Sequence, residues 1–193
     1  MKRYFLGLSI FVFLLFTLPA QAAEPLATVQ AQVNKVLDVL RDKTLSTEAK
    51  KEKLRDLYSE MFDEVELARR TLGANWKKLN PAQQEEFVRL YRQVLEKAYI
   101  NKILTYTDQK IVFSRASMLS DNLAEVQTKI ITSSQEIPLN YRVFLKDGTW
   151  KVYDVVIENV SLILNYRSQF ESILAKNTPE QMLETLRKKV QEK

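Results

Sequence analysis

After Thr107 the apolar residues stop recurring at every third or fourth position and begin to recur at every second, and this switch restricts the fold more than any other feature of the chain. Before it, the chain reads as helices. Leu26, Val29, Val33, Val36, Leu37 and Leu40 form one amphipathic stripe. Ser46 can cap a second helix carrying Leu54, Leu57, Tyr58 and Met61, because its oxygen can accept from the free N–H groups of a first turn. Asp63 caps a third, with Leu67, Ala68, Thr71 and Leu72 on its apolar side and Gly73 where a left-handed residue ends a helix. Asn80-Pro81 starts the longest helix, whose stripe runs through Phe87, Leu90, Tyr91, Val94, Leu95, Ala98, Tyr99, Ile103 and Tyr106.

Alternation then predicts four strands: Lys110–Ser117, Ala124–Ser133, Ile137–Lys146 and Thr149–Glu158. In the third, Leu139, Tyr141, Val143 and Leu145 oppose Asn140, Arg142 and Lys146, so one face is apolar and one polar. Asp147-Gly148 marks a tight hairpin between the last two strands. Helices follow over Leu162–Lys176 and from Thr178-Pro179 onward. Helices, then a meander, then helices is an α+β order. The expected fold is a curved antiparallel sheet of about four strands, wrapped by helices on a single side and able to enclose an apolar pocket. The helical part covers about residues 26–107, the sheet 110–158 and the C-terminal helices 162–192, within one domain spanning 23–193.

Residues 1–22 have a different character. Met1-Lys2-Arg3 is basic, Tyr4 to Leu18 is apolar, and Ala20-Gln21-Ala22 is a small-x-small site, the three parts of a secretory signal. The apolar run of 15 residues falls short of the roughly 20 needed to span a bilayer. Cleavage after Ala22 and release into an extracytoplasmic compartment are expected. No cysteine is present to carry a lipoprotein acyl group.

With no His and no Cys, the chain cannot build a Ser-His-Asp triad, a Cys-His pair or an ordinary zinc site. Only Gly73 and Gly148 remain after the signal, so no glycine-rich phosphate loop exists. No spacing singles out a carboxylate pair for hydrolysis or a lysine nucleophile. Without Lys2 and Arg3, 27 basic side chains face 24 acidic ones, a net charge too small and too dispersed for a nucleic-acid binder. Neither an enzyme nor a cofactor is expected.

Two stretches carry a resemblance. The first is Phe62-Asp63, Ala68-Arg69, Leu72-Gly73 and Trp76; the second is Trp150-Lys151-Val152-Tyr153-Asp154-Val155 with Ser161-Leu162, Asn165-Tyr166-Arg167 and Phe170. Together they resemble the MlaC/toluene-tolerance family of periplasmic phospholipid-binding proteins, in order and spacing from about Leu26 to the end. The resemblance implies a soluble carrier that shuttles phospholipid between an outer-membrane lipoprotein complex and an inner-membrane ABC transporter complex, maintaining outer-membrane lipid asymmetry. It also implies a cystatin-like sheet with a helical subdomain and acyl chains held between them. A lipoprotein-chaperone or protein-interaction module is the alternative. A monomer suits a shuttle that docks at two membranes.

From facing patterns, the pocket is expected to be lined by Leu95, Tyr99 and Ile103 of the long helix and Tyr141, Val143, Val152 and Val156 of the strands. Taken singly, ordinary core is the favoured reading of such a residue; taken as a set, they could line a cavity. Arg142 and Lys146 face outward by parity, as docking charges for an acidic partner or as solubilising residues. Asp154, in the most apolar strand, needs a cation, with Arg69, Arg70 or Arg167 as candidates. Asn165-Tyr166-Arg167 can contact a phosphate headgroup or tie its helix to the sheet.

Overall fold

A computed structural model describes residues 24–106 and 109–192; the expected signal peptide lies outside the described residues. Helices α1 (Pro25–Arg41), α2 (Thr47–Met61), α3 (Glu64–Leu72) and α4 (Pro81–Leu104) precede the sheet, with a 3₁₀ turn over Gly73–Lys78. The capping residues read from sequence act as caps. Ser46 accepts from the Ala49 N–H at 3.2 Å and Asp63 from Glu66 at 2.8 Å. Asn80 and Gln83 cap one another reciprocally, satisfying donors that a first turn leaves free. Gly73 ends α3 at φ +54°, and a Cβ there would meet the Arg167 guanidinium at 3.4 Å.

Strands β1 (Lys110–Ser120), β2 (Leu123–Ile131), β3 (Glu136–Lys146), β4 (Thr149–Ile157) and β5 (Val160–Ser161) form an antiparallel sheet in sequential order. Asp147 and Gly148 both have positive φ, as a two-residue hairpin with the right twist requires. The fifth strand is an addition to the four expected. Glu158 and Asn159 both take positive φ and turn the chain back so that Val160 pairs with Ile157. Helices α5 (Leu162–Leu174) and α6 (Pro179–Gln191) complete the chain, capped by Ser161 and Thr178.

Register sets the two faces of the sheet. Val126, Tyr141 and Val155 lie abreast, as do Ala124, Val143 and Val152, and all of these except Val155 are buried. The next row on the opposite face is Glu125, Arg142 and Asp154. A register shift beside Val143 places Tyr153 as the extra residue of β4 and keeps both rows in phase. Helix α1 covers the apolar face. The expectation of helices on a single side is corrected at β4, where α3 and α5 also reach the opposite face: Arg70 stacks 4.0 Å over the Tyr153 ring, and the Ile163 N–H donates to Asp154 at 3.1 Å.

Two hydrophobic cores result. One is helical, joining α3, α4, α5 and α6 through Leu67, Leu72, Phe87, Tyr91, Phe170, Met182 and Leu183. Between α4 and α5, Phe87 with Phe170 and Tyr91 with both Tyr166 and Phe170 pack edge-to-face with centroids 5.1–5.7 Å apart, a favoured aromatic geometry. The other joins α1 and α2 to the sheet through Val29, Val33, Leu37, Val126, Tyr141, Val143 and Val152. Phe62, between α2 and α3, touches both. It bridges to Val152 on the edge of β4, and the Asp63 N–H donates to the Val152 carbonyl at 3.2 Å.

Candidate functional site

The sheet-side core is incompletely covered. Val36 and Val39 of α1, Ile100 and Leu104 of α4, and Tyr106 just beyond it all pack against this core while remaining partly exposed. From the sheet, Ile111, Phe113, Leu139 and Val155 do the same. They outline an apolar seam between α1, the end of α4 and the sheet. Leaving so much hydrocarbon half-wet is unfavourable by about 25 cal/mol for each Å². Such a surface suits an apolar occupant.

The structure brings together only some of the residues expected to line a pocket. Tyr141, Val143 and Val152 stand on the apolar face of the sheet. Leu95 is buried in the helical core and Tyr99 packs beside it. Ile103 is 37% exposed, and Val156, although buried, pairs with Ser161 in the row facing away from the seam. Helix geometry accounts for the difference. A three-to-four-residue stripe continued from Phe87 to Tyr99 follows the side of α4 that meets α6, whereas the side meeting the sheet-side core lies one residue further round, at Ile100 and Leu104. Sequence reasoning missed those two because it carried one stripe along the whole helix.

Charges on the opposite face are used structurally. Arg142 donates to Glu125 at 3.0 Å and to Asp154 at 3.4 Å. Asp154, 2% exposed, also accepts from the Ser161 hydroxyl at 2.6 Å and the Ile163 N–H. It thereby ties α5 to β4, a satisfied arrangement for a buried carboxylate. Its cation is Arg142, not Arg69, Arg70 or Arg167. Arg69 and Arg70 pair with Glu66 at 2.7 and 2.6 Å, and Arg167 donates to the Arg70 carbonyl at the end of α3. Burial pushes the Arg142 pKa down, but Glu125 and Asp154 outweigh it and raise it.

Lys146 does not stand free either. It pairs with Asp63 at 2.5 Å, anchoring the α2–α3 junction to the β3–β4 hairpin. Burial pushes the Asp63 carboxyl up, yet the Lys146 ammonium and the Glu66 N–H hold it below the usual carboxylate range. Lys151 adds a bond to the Glu60 carbonyl at 2.6 Å. A separate open groove of about 420 Å³ lies between α3, the 3₁₀ turn and the start of α4. Val65, Trp76 and Val88 form its apolar part, and Glu64, Glu85, Arg89 and Arg92 give it charges of both signs. Among the described residues, no helix is long and apolar enough to cross a membrane.

The MlaC protein family profile matches residues 30–188, most of the chain. The chain belongs to the MlaC family. It is 29% identical over 128 residues to the intermembrane phospholipid transport system binding protein MlaC of Haemophilus influenzae, covering 64% of this chain and 58% of that protein. It is 26% identical over 102 residues to the toluene tolerance protein ttg2D of Pseudomonas putida, covering 52% and 47%. The chain thus spans about half the length of these relatives. A phospholipid-binding protein from Ralstonia solanacearum, solved in complex with a phospholipid, has the same fold: the TM-score is 0.79 at 21% identity, over 87% of this chain and 97% of that one. This likeness shows the fold, a sheet with helices packed against it.

Proposed function

We propose that this MlaC-family protein is a periplasmic phospholipid carrier that holds acyl chains in the seam between α1, the end of α4 and the sheet. The observation that carries the proposal is the half-covered apolar layer built by Ile100, Leu104, Tyr106, Ile111, Phe113, Leu139 and Val155. The named relatives, one from an intermembrane phospholipid transport system and one structure holding a phospholipid, support the choice of ligand. Two acyl chains contain roughly 30 methylenes, each costing about 0.8 kcal/mol to expose to water. Free diffusion of the lipid therefore meets a barrier on the order of 20 kcal/mol. Apolar side chains that replace water around the chains remove most of it, and no bond is made or broken.

In this reading, residues 1–22 direct export and are removed, and the carrier shuttles between an outer-membrane lipoprotein complex and an inner-membrane ABC transporter complex. Lys146, about half exposed even while paired with Asp63, is the better placed of the two proposed docking charges; Arg142 is committed to Glu125 and Asp154. Purification from the periplasm without detergent, followed by mass spectrometry of the extracted ligand, tests the proposal. Intact phospholipid at close to a stoichiometric amount is expected. Recovery of free fatty acid, of an acylated protein, or of no lipid would contradict it.

A further inference from the structure

The apolar seam contains two polar groups without partners. Tyr141 is 91% buried on the apolar face, given its 9% exposure, and its hydroxyl makes no hydrogen bond with a described residue. Burial alone raises its pKa, so it stays a neutral donor at any physiological pH. Its cross-strand neighbour Val155 and its same-face neighbour Leu139 both belong to the half-covered layer. On the facing helix, the Gln32 side-chain oxygen is buried and also unpaired. Gln32 lies one helical turn before Val36, on the flank of α1 that borders the seam. Buried polar groups in folded proteins are almost always paired, so the Gln32 oxygen calls for a partner outside the chain, and the Tyr141 hydroxyl, unpaired but not sealed off, is free to meet the same one.

The partner's chemistry follows from the groups. A phenol hydroxyl donates one hydrogen bond, and an amide presents either its oxygen or its NH₂ to the same point after a half-turn of the side chain. Within otherwise aliphatic surroundings, the matching acceptor is a carbonyl attached to long alkyl chains. A glycerolipid carries such carbonyls where its acyl chains join the glycerol. We propose that Tyr141 and Gln32 donate hydrogen bonds to the acyl-ester carbonyls of the bound lipid, so that the protein recognises the ester linkage as well as the chains. This rests on the lipid-carrier reading and adds a specificity that bare hydrocarbon contact lacks.

The test compares lipids that differ only in the linkage. The purified full-length mature protein is equilibrated with vesicles containing equal amounts of diacyl- and dialkyl-phosphatidylglycerol of matched chain length, then re-isolated, and both lipids are quantified by mass spectrometry. An ether has no carbonyl, so each lost hydrogen bond should lower occupancy roughly fivefold. Wild type should be enriched in the diacyl form by about that factor or more. Tyr141→Phe should reduce the enrichment, and Tyr141→Phe with Gln32→Leu should bring the ratio close to one while total loading persists. Tyr141→Phe removes an unpaired hydroxyl and keeps the ring, so its melting temperature should match or exceed wild type. Equal loading of both lipids by wild type, or an unchanged ratio in the double variant, would overturn the proposal and leave the carrier reading standing. Failure of wild type to take up either lipid would overturn both.

Discussion

The helical core and the sheet-side core use the same kinds of side chain and close to different degrees. Among the described residues, the helical core has 14 buried members and 8 partly buried apolar neighbours, whereas the sheet-side core has 12 and 13. The first is sealed by interlocking rings on two helices, with Phe87 and Tyr91 from α4 meeting Tyr166 and Phe170 from α5, and by Met182 and Leu183 of α6. The second is a broad sheet face with one helix laid over it and the end of another leaning in. A single helix about 10 Å across cannot cover a four-stranded face whose strands stand about 4.8 Å apart. The difference is one of closure: one core is sealed by its own side chains, and the other leaves apolar surface half-covered.

The contrast predicts very different costs for comparable changes. Phe87→Ala should destabilise by about 3–5 kcal/mol, because a fully buried ring leaves a cavity that α4, α5 and α6 cannot collapse. Denaturant unfolding measures this, and lipid loading below the melting transition should be unchanged. Charge insertion sharpens the comparison. Val143→Glu, at a position with no exposure, should prevent folding, whereas Leu104→Glu, in the seam, should remain folded by circular dichroism and lose lipid. Ile103→Glu, one residue away but 37% exposed, should affect neither.

Smaller effects are expected at the joints between the two cores. Arg142→Met removes the cation from a buried carboxylate, but Asp154 keeps Ser161 and Ile163, so the loss should be about 2 kcal/mol rather than the 3–5 of a wholly orphaned charge. Asp63→Asn retains an N-cap and loses the ion pair with Lys146. The folded-state pKa of Asp63 is lowered, so its contribution is complete above about pH 4–5 and lost as pH falls through the lowered value. That of Lys146 is raised, so its contribution holds below its ordinary value of 10.5 and disappears only as pH rises through the raised one. The melting-temperature gap between wild type and Asp63→Asn should therefore be constant across neutral pH and close at both extremes. A gap that widens in acid would show that the pair does not form.

Much of this architecture is legible in the sequence where local chemistry decides it. Ser46, Asp63, Asn80 and Thr178 each cap the helix they precede, and Asp147-Gly148 turns where positive φ is needed. The turn at Glu158-Asn159 is not legible, because neither residue announces a positive φ as glycine does; with it went β5. The partner of Asp154 was hidden for a different reason. Arg142 reaches it only through the β3–β4 register, which depends on an extra residue in β4 that alternation cannot locate. The expected lining followed one side of α4, whereas Ile100 and Leu104 pack from another, since a helix that serves two cores in turn shows no single stripe.

Photo-crosslinking tests the division of labour most directly. A phospholipid bearing a diazirine near the end of one acyl chain is loaded into the protein, activated, and the modified residues are mapped by mass spectrometry. The account predicts adducts on Ile100, Leu104, Tyr106, Ile111, Phe113 or Leu139, all from the half-covered layer. Adducts concentrated on Phe87, Tyr91 or Leu183 of the helical core, or on Trp76 and Val88 of the outer groove, would contradict it.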